Sequence, residues 1–335
     1  MTRFRFSFLV SIFFLSLAAG SLMSEIAQAA QGNAAKVTLV KNDQGVAVMV
    51  DGELFTQYLV RSGSKPVLWP INGPTGKPMT RSWPIGPEKE GEHTDHVHQR
   101  SFWFSHEGVN GVNYWAEPRS YPPEKRAEHN VGLIDHRVFA EMKSDDEGAT
   151  LGTICDWLDR EYEPVLEQRT VYRFSANDDC RTIDMTVNLK AVNGDVVLED
   201  RKDGMFGIRL ASSMKVDAGQ GGQIVNSEGQ LDKGAWGQYA DWVDYHGPVA
   251  GETVGVAILW HPSNFRHPIR WHVRNYGLFA ANPLAEEGFP ESDRKQGATT
   301  IKQGDTLTLR FRTLFHRGDQ QQAKIVEAYA KYAEE

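Results

Sequence analysis

The sequence predicts an all-β protein: a large two-sheet antiparallel β-sandwich with one C-terminal helix. Three observations predict this fold. Short apolar runs, and runs that alternate apolar with polar residues, dominate the chain and are rich in Val, Thr and aromatic residues. Gly, Asn and Asp turn residues separate these runs. Helix periodicity is nearly missing from the sequence before residues 320–333.

The strand candidates follow one another along the whole chain. The segment KVTLVK at 36–41 alternates, and the candidates at 46–50 and 54–60 flank Asp51-Gly52, a type I′ hairpin signal. The remaining candidates cover residues 101–105, 131–142, 150–159, 165–175, 182–192, 205–216, 236–245, 254–260, 270–274, 278–281 and 306–316. Their number exceeds that of an immunoglobulin-sized sandwich, and no fixed-period repeat predicts a propeller. No Pro/Ser-rich linker divides the chain, so we expect residues 31–335 to form a single β-sandwich domain.

The last element is the predicted C-terminal helix. Asp319 is its expected N-cap, and Val326, Tyr329, Ala330 and Ala333 share one face at helical spacing.

The N-terminus has the parts of a secretory signal. Arg3 and Arg5 precede an apolar stretch at 6–17 that is shorter than a membrane span, and AQA at 27–29 is an A-x-A cleavage site. Residues 1–30 are therefore predicted to be a signal peptide. The mature protein is expected to be exported to the periplasm or the extracellular space, without stable membrane insertion after cleavage.

Composition and missing motifs exclude several function classes. The net charge is −8 and no basic block is present, so a nucleic-acid partner is not expected. The sequence has no G-x-S-x-G elbow, P-loop, HExxH motif or GxGxxG after a strand, which argues against α/β serine hydrolases, NTPases, zincins and Rossmann oxidoreductases. Cys155 lies in the predicted strand at 150–159 and Cys180 lies just before the one at 182–192, and either a disulfide or two free thiols fits an exported chain.

A histidine-dense segment is the first candidate site. Four of the eleven histidines, His93, His96, His98 and His106, lie within fourteen positions. On a strand or an extended loop His96 and His98 would face the same side, as an acid–base pair requires. We predict that both are catalytic and that Arg100 and His106 bind substrate. No cofactor is required by this interpretation; the alternative is a divalent metal held by His96 and His98.

A second cluster of basic residues follows at 261–274. Arg270, His272 and Arg274 alternate and should share one face of a strand, which an apolar core would not accept. That face is expected to meet solvent, carboxylates, or an anionic or hydroxyl-rich ligand, since Arg binds carboxylates bidentately. We predict that His272 is catalytic and that Arg270, Arg274 and His261 bind substrate.

Two shorter segments supply acidic and aromatic candidates. Five consecutive charged residues at 199–203 precede a predicted strand, and we predict that one of them, Asp203, binds substrate. Trp242 should share a strand face with Asp244 and His246. An aromatic face beside a carboxylate is typical of sugar sites, so Trp242 is a candidate substrate-binding residue.

Several motifs together resemble a bacterial domain family of unknown function, the DUF6807 type, whose members carry the label PmoA-like (methane oxygenase-like). They are DHVHQRSFWFSHEGVNGVNYW, DGMFGIRLA, WVDYHGPVAGETVGVAILWHPSNFRHPIRWHVRNYGLFAANPL and the C-terminal helix. The resemblance covers nearly the whole mature chain. The family pattern D-H-x-H-H-R aligns with Asp95, His96, His98 and Arg100, and Gln99 replaces the second adjacent histidine. The resemblance implies a fold similar to the galactose-mutarotase supersandwich.

Mutarotases open a sugar ring with a His acid and a Glu base. By this resemblance His96 or His98 would take the first role. The stretch GLFAANPLAEEGFP is similar to the one that carries the base, where this sequence has Asn282, with Glu286 and Glu287 a few residues on.

The sequence therefore predicts an exported carbohydrate-active protein that binds a small-molecule or oligosaccharide ligand, a sugar or uronate, in a cleft lined by His and Arg. Acid–base chemistry at a sugar carbon (elimination, epimerisation or hydrolysis) is the expected reaction. Two alternatives stay open. One is a non-catalytic carbohydrate-binding protein that relies on Trp103, Trp115 and Trp242, and the other is a metal-dependent enzyme.

Overall fold

Two large antiparallel sheets pack face to face in the computed structural model, which describes residues 34–289 and 297–335. The signal peptide predicted at 1–30 lies outside the described residues. Within the described part of the chain, no helix is long and apolar enough to cross a bilayer. The predicted two-sheet antiparallel sandwich is confirmed, and its size of nine strands against eight agrees with the supersandwich that the resemblance implied.

The nine-stranded sheet is called the front sheet. In spatial order it contains β1 (Val37–Asn42), β2 (Gly45–Val50), β3 (Glu53–Ser62), β4 (Lys65–Ile71), β5 (Phe102–His106), β11 (Gly204–Arg209), β17 (Leu278–Asn282), β16 (Ile269–Val273) and β13 (Tyr239–Ala240). The hairpin between β2 and β3 turns at Asp51 and Gly52, which both have positive φ, 50° and 85°, as a type I′ turn requires.

The eight-stranded sheet is called the back sheet. In spatial order it contains β12 (Gln223–Asn226), β14 (Trp242–Val249), β15 (Glu252–Trp260), β19 (Thr306–Arg317), β9 (Cys180–Ala191), β8 (Pro164–Ala176), β7 (Gly148–Leu158) and β6 (Leu133–Asp145). A separate ladder pairs β10 (Val196–Leu198) with β18 (Thr299–Ile301). Short 3₁₀ turns cover Pro118–Ser120, Pro123–Glu128, Ser212–Met214, Val216–Ala218 and Asp232–Ala235.

The main core lies between the two sheets, where the apolar side chains of every second residue meet. Phe311 of β19 illustrates the packing: its ring lies 6.2 Å from Phe104 and 5.2 Å from Phe206, both in the front sheet. Its third aromatic neighbour is Trp260, at 5.2 Å in the back sheet. Burying a Phe side chain contributes roughly 1.5–3 kcal/mol, so contacts of this kind hold the two sheets together.

Two predicted strands are shorter or divided in the structure. The strand predicted at 205–216 ends at Arg209, where the chain enters two 3₁₀ turns. The strand predicted at 236–245 is divided at Asp241: the residues before it join the front sheet as β13, and those after it join the back sheet as β14. The chain therefore crosses between the sheets at this point, which alternation within one segment does not reveal.

The C-terminal helix α1 (Ile325–Ala333) starts later than predicted. Lys324 precedes it with φ 52°, and the Asp319 carboxylate accepts hydrogen bonds from backbone groups of an earlier turn, so Asp319 is not the N-cap. Ile325 and Tyr332 are buried against the outer face of the back sheet and Tyr329 packs partly against the same cluster, whereas Val326 is 64% exposed.

The fold also determines the state of the two cysteines. Cys155 lies in β7 and Cys180 begins β9, with β8 between them, and both are free thiols.

Strand β4 ends at Ile71. The connection from there to β5 covers residues 72–101 and lies over the outer face of the front sheet, where the candidate site is found.

Candidate functional site

The segment that carries His96 is held in place by one buried arginine. Arg81 is 1% exposed, and its guanidinium donates hydrogen bonds to the backbone carbonyls of His93, Asp95, His96 and Gln99 at 2.9–3.1 Å. It also donates to the Asp95 carboxylate at 2.8 Å. These carbonyls belong to no strand, so Arg81 supplies the hydrogen bonds that a sheet would otherwise provide.

Asp95 and His96 form an oriented carboxylate–imidazole pair. His96 Nδ1 lies 2.9 Å from one Asp95 oxygen, and Arg209 donates to the other oxygen at 2.9 Å. Since a carboxylate accepts only, Nδ1 carries the proton and Nε2 is left as an acceptor. Burial raises the pKa of Asp95, but the His96 hydrogen bond and the charge of Arg209 lower it by more, so the carboxyl is ionised.

The His96 imidazole is accessible and firmly placed. Its side chain is 43% exposed, and its ring stacks on Tyr276 with 5.4 Å between centroids and 7° between planes. His96 also has φ 48°, a left-handed conformation that is unfavourable for a residue with a Cβ. Such strain persists only where the surroundings impose it, and it is concentrated at functional sites.

His98 lies beside His96 but is largely covered. The two rings are in edge contact at 5.8 Å, and His98 Nδ1 is 3.0 Å from the Ser120 hydroxyl. Burial, together with the nearby charge of Lys65, lowers the pKa of His98 to about 3, so the ring is neutral at physiological pH. A cavity of about 380 Å³ is lined by both histidines and by the partly exposed indole of Trp83.

His272 and Asp203 form a second imidazole–carboxylate pair. Trp236 Nε1 donates to His272 Nδ1 at 2.9 Å, and His272 Nε2 lies 3.2 Å from Asp203 Oδ1. Lys202 donates to the other Asp203 oxygen at 3.3 Å. Burial raises the pKa of Asp203, but His272 and Lys202 lower it by more, to about 2. Asp203 also interacts electrostatically with His98, which links the two pairs.

Arg274 lies between two aromatic rings at the rim of the site. Its guanidinium is 5.1 Å from the Trp236 ring and 5.8 Å from the Tyr276 ring. Among the described residues no carboxylate forms a salt bridge with Arg274. The same three side chains line a cavity of about 320 Å³, which shares no lining residue with the cavity beside His96 and His98. Aromatic faces beside a guanidinium suit a ring-shaped anionic ligand.

The predicted shared face of Arg270, His272 and Arg274 is present, on the outer side of the front sheet. Arg270 is buried, with its guanidinium over the rings of Tyr239 and Phe289 and 3.7 Å from Glu286. Carboxylates, one of the three surroundings expected, meet Arg270 and His272. Asn282, at the position of the mutarotase base, is buried, and its amide donates to the carbonyls of Arg201 and Lys202.

Two predicted substrate-binding residues, Arg100 and His106, are buried and bonded to other parts of the protein. Arg100 is 4% exposed and forms a bidentate pair with the buried Glu117 carboxylate, with both N···O distances at 2.7 Å. His106 is buried, and its Nε2 lies 2.8 Å from the Glu199 carbonyl. Both side chains lie beneath the loops that form the cleft.

The other two predicted substrate-binding residues, Trp242 and His261, lie on the opposite side of the molecule. Trp242 is 6% exposed and belongs to the apolar cluster under α1. The His261 ring makes an edge contact at 5.0 Å with Tyr332 of α1. The structure therefore brings together His96, His98, His272, Asp203, Arg270 and Arg274, and it leaves Trp242 and His261 elsewhere.

The expected common face of Trp242, Asp244 and His246 leads to a different arrangement, a buried charged triad. Asp244 is fully buried, and its two oxygens lie 2.7 Å from His246 Nδ1 and 2.7 Å from His316 Nε2. His316 Nδ1 faces the Arg317 carbonyl at 3.1 Å. Both ring nitrogens of His316 thus face acceptors, which identifies the ring as an imidazolium cation.

We expect this triad to make stability fall at alkaline pH. Burial lowers the pKa of His316, but the Asp244 carboxylate raises it by more, so the folded pKa exceeds the ordinary value. The stabilisation is therefore complete below about pH 6.5 and is lost as pH rises through the raised pKa. Urea unfolding of the wild type and of His316→Gln between pH 5.5 and 9 measures this loss of stabilisation.

The difference in the free energy of unfolding between wild type and His316→Gln should be largest at pH 5.5–6.5 and should shrink as pH increases. His93→Gln, a change at an exposed imidazole, is the control and should give a flat difference. A His316→Gln difference that grows with pH would contradict the imidazolium assignment.

Sequence reasoning missed the aromatic and positioning residues of the cleft. Trp236, Tyr276 and Trp83 form its walls, and Arg81 holds its loop, yet none was a candidate. Tyr276 lies two residues after Arg274, at the spacing already used for the basic face, so extending that alternation would have indicated it. Nothing local to Trp83 or Arg81 distinguishes them.

Metal binding was the alternative interpretation of His96 and His98. Within residues 34–289 and 297–335, no group of three or more His, Cys, Asp or Glu side chains is arranged to hold a metal ion. The carboxylate next to His96, Asp95, has its oxygens occupied by Arg81, Arg209 and His96.

Comparisons with solved structures give distant similarities. The α-galactosidase from Lactobacillus brevis has a TM-score of 0.41 at 9% identity, covering 86% of this chain and 40% of that one. The α-galactosidase from Geobacillus stearothermophilus has a TM-score of 0.38 at 11% identity, covering 85% and 41%. A β-arabinopyranosidase has a TM-score of 0.30 at 10% identity, covering 86% and 40%. The chain therefore spans about two fifths of the length of each.

No curated protein matches the sequence. One family model does match, over residues 45–330, which is most of the chain. The methane-oxygenase label is not part of that match. The chain belongs to the family DUF6807, a family of unknown function.

Proposed function

We propose that the protein is exported and binds a uronate or a related sugar in the cleft on the outer face of the front sheet, where it carries out acid–base chemistry at a sugar carbon. The observation that carries this proposal is the Asp95–His96 pair. It presents an exposed imidazole with a fixed tautomer, beside aromatic walls and an arginine that forms no salt bridge with a described carboxylate. Export rests on the signal-like sequence at 1–30.

His96 is the proton-transferring group in this proposal. The ionised Asp95 fixes Nδ1–H and stabilises the imidazolium that forms when Nε2 takes a proton. Because Arg81 and Arg209 hold Asp95 from the other side, the imidazole does not depend on a mobile carboxylate for its orientation. Loss of a carbon-bound proton beside a uronate carboxylate leaves the electron pair on that carboxylate, and a guanidinium stabilises the resulting charge.

Arg274 and the rings around it supply the ligand-binding part. The guanidinium lies over Trp236 and Tyr276, which restricts its motion while its edge can meet a carboxylate. We therefore expect uronates to bind more tightly than the corresponding neutral sugars. Replacing Arg274 by Met should remove that preference.

The test uses D-glucuronate and D-galacturonate, with D-glucose and D-galactose as neutral counterparts. Calorimetry measures binding, and proton NMR in D₂O measures deuterium incorporation at the carbon next to the carboxylate. We expect His96→Ala to slow incorporation by about 10²–10⁴-fold, the usual contribution of a general acid–base group, with the melting temperature unchanged because the imidazole is exposed. His93→Ala is the matched control and should behave as wild type.

A non-catalytic sugar-binding protein is the second candidate, and the aromatic walls of the cleft favour it. Trp103 and Trp115 have no free face, since they are buried against each other at 4.9 Å. The stacking residue is instead Trp236, which lines the cavity beside Arg274. Saturable uronate binding without deuterium incorporation, reduced more by Trp236→Ala than by His96→Ala, would select this function over the catalytic one.

A further inference from the structure

We propose that Asp203 is the group that binds the ligand's hydroxyls, that it takes a vicinal diol, and that His272 is a positioning residue that acts through Asp203. This rests on the proposed function and gives the ligand a direction: its carboxylate faces Arg274 and its diol faces Asp203. The sequence predicted a catalytic His272 and a substrate-binding Asp203. The geometry keeps Asp203 as a binding residue and points to a positioning role for His272.

Burial separates the two residues. The His272 side chain is 4% exposed, whereas that of Asp203 is 27% exposed. Both ring nitrogens of His272 are already engaged, one by Trp236 and one by Asp203. A ligand in the cleft can therefore reach the carboxylate without displacing an existing contact, but it cannot reach the imidazole.

The tautomer of His272 follows from its partners. An indole N–H donates only, so His272 Nδ1 must be an acceptor, and the single proton of the neutral ring is on Nε2, directed at Asp203. Burial lowers the pKa of His272, which agrees with a neutral ring. The relay Trp236–His272–Asp203 thus fixes the carboxylate in both orientation and charge.

The carboxylate has one acceptor direction left on each oxygen. His272 occupies one lone pair of Oδ1, and Lys202 occupies one of Oδ2. Two adjacent hydroxyls of a pyranose can each donate to one oxygen, which is the pattern of a vicinal diol. The low pKa of Asp203 makes it a weak base but a permanent acceptor, so recognition is the role that fits.

A neighbouring carboxyl agrees with this direction for the ligand. Glu107 lies directly across the ladder from Asp203, with its N–H donating to the Asp203 carbonyl at 2.9 Å. Burial, and then the Asp203 charge, raise the pKa of Glu107. A second anion is disfavoured there, so the ligand's own carboxylate is directed away, toward Arg274.

The experiment compares two probes by calorimetry. D-Glucuronate has the ring, the carboxylate and the hydroxyls; tetrahydropyran-2-carboxylate has the ring and the carboxylate alone. We expect Asp203→Asn to weaken D-glucuronate binding roughly 10- to 100-fold, the effect of losing a hydrogen bond to a charged group, and to leave tetrahydropyran-2-carboxylate binding unchanged. Glu124→Gln, at an exposed carboxyl, is the matched control.

The positioning role has its own measurement. His272→Gln and Trp236→Phe should raise the pKa of Asp203, so D-glucuronate binding should fail at higher pH than in the wild type as the pH is lowered. Long-range ¹⁵N NMR of the ligand-free protein should show His272 with an unprotonated Nδ1 and a protonated Nε2.

Each result is decisive. If the wild type binds D-glucuronate and Asp203→Asn binds it equally well, the Asp203 assignment is overturned while the proposed function stands. An unshifted pH dependence in both relay variants, or the opposite His272 tautomer, overturns the positioning role. If the wild type binds neither probe, the proposed function fails and this inference fails with it.

Discussion

Replacing Arg81 by Ala will lower the free energy of unfolding by about 3–5 kcal/mol and release the segment that presents His96 and His98. Burial and the nearby Arg209 lower the pKa of Arg81 to about 10, so it is still a cation at neutral pH. Its removal leaves the carbonyls of His93, Asp95 and Gln99 without their donor. The His96 carbonyl keeps the Gln99 N–H, and the Asp95 carboxylate keeps Arg209.

Urea unfolding measures the loss of stability, and limited proteolysis within residues 88–100 measures release of the segment. Arg61→Ala is the matched control, because that guanidinium and its partner Asp135 are both about half exposed. Exposed pairs contribute about 0–1 kcal/mol, so the control should remain close to wild type. An Arg81→Ala protein that is within 1 kcal/mol of wild type and resists proteolysis would show that the loop is held by other contacts.

Replacing Glu117 by Ala should also lower the free energy of unfolding by about 3–5 kcal/mol, because it leaves Arg100 buried without its bidentate partner. Lys65 is fully buried nearby and donates to the Trp115 carbonyl at 2.7 Å. Burial lowers the pKa of Lys65 to about 7, and Glu117 is the group that raises it. In the variant Lys65 should therefore lose its proton at lower pH than in the wild type.

The sign of the pH dependence follows from this. Where folded Lys65 is neutral and the unfolded chain binds the proton, stability rises with pH, up to the unfolded pKa near 10.4. The stability of Glu117→Ala should begin to rise at lower pH than that of the wild type. Urea unfolding from pH 5.5 to 9 tests it, with Glu124→Ala as an exposed-carboxyl control that should match the wild type. Parallel curves for wild type and Glu117→Ala would contradict the coupling.

The strands and one face of the site could be predicted because each depends on local alternation. The period of two along 270–274 correctly placed Arg270, His272 and Arg274 on a common face. The hairpin at Asp51-Gly52 is local in the same way, since two positive-φ residues determine it. In both cases the physical cause lies within a few residues of the pattern.

The side-chain contacts within the candidate site depend on the order of strands in the sheet. A local sequence pattern does not contain that order. His272 meets Asp203 because β17 pairs with both β11 and β16, which brings residues 69 positions apart into contact. The stack of His96 on Tyr276 joins a loop to the far end of another hairpin. Arg81 was missed for a related reason. Its partners are backbone carbonyls of an irregular loop, and because every residue has a carbonyl, the sequence does not show which ones Arg81 contacts.

The alternation along β16 also separates side chains that can be replaced without disturbing the core from side chains that form the core. Ile269, Trp271 and Val273 face the core, whereas Arg270 and His272, between them, face the cleft. In the proposed function, ligand preference is therefore encoded at every second residue of a strand whose other residues maintain the fold. A variant library confined to the outward positions of this strand could explore new ligands while the hydrophobic core remains intact, which makes the front sheet a natural starting point for redesigning specificity.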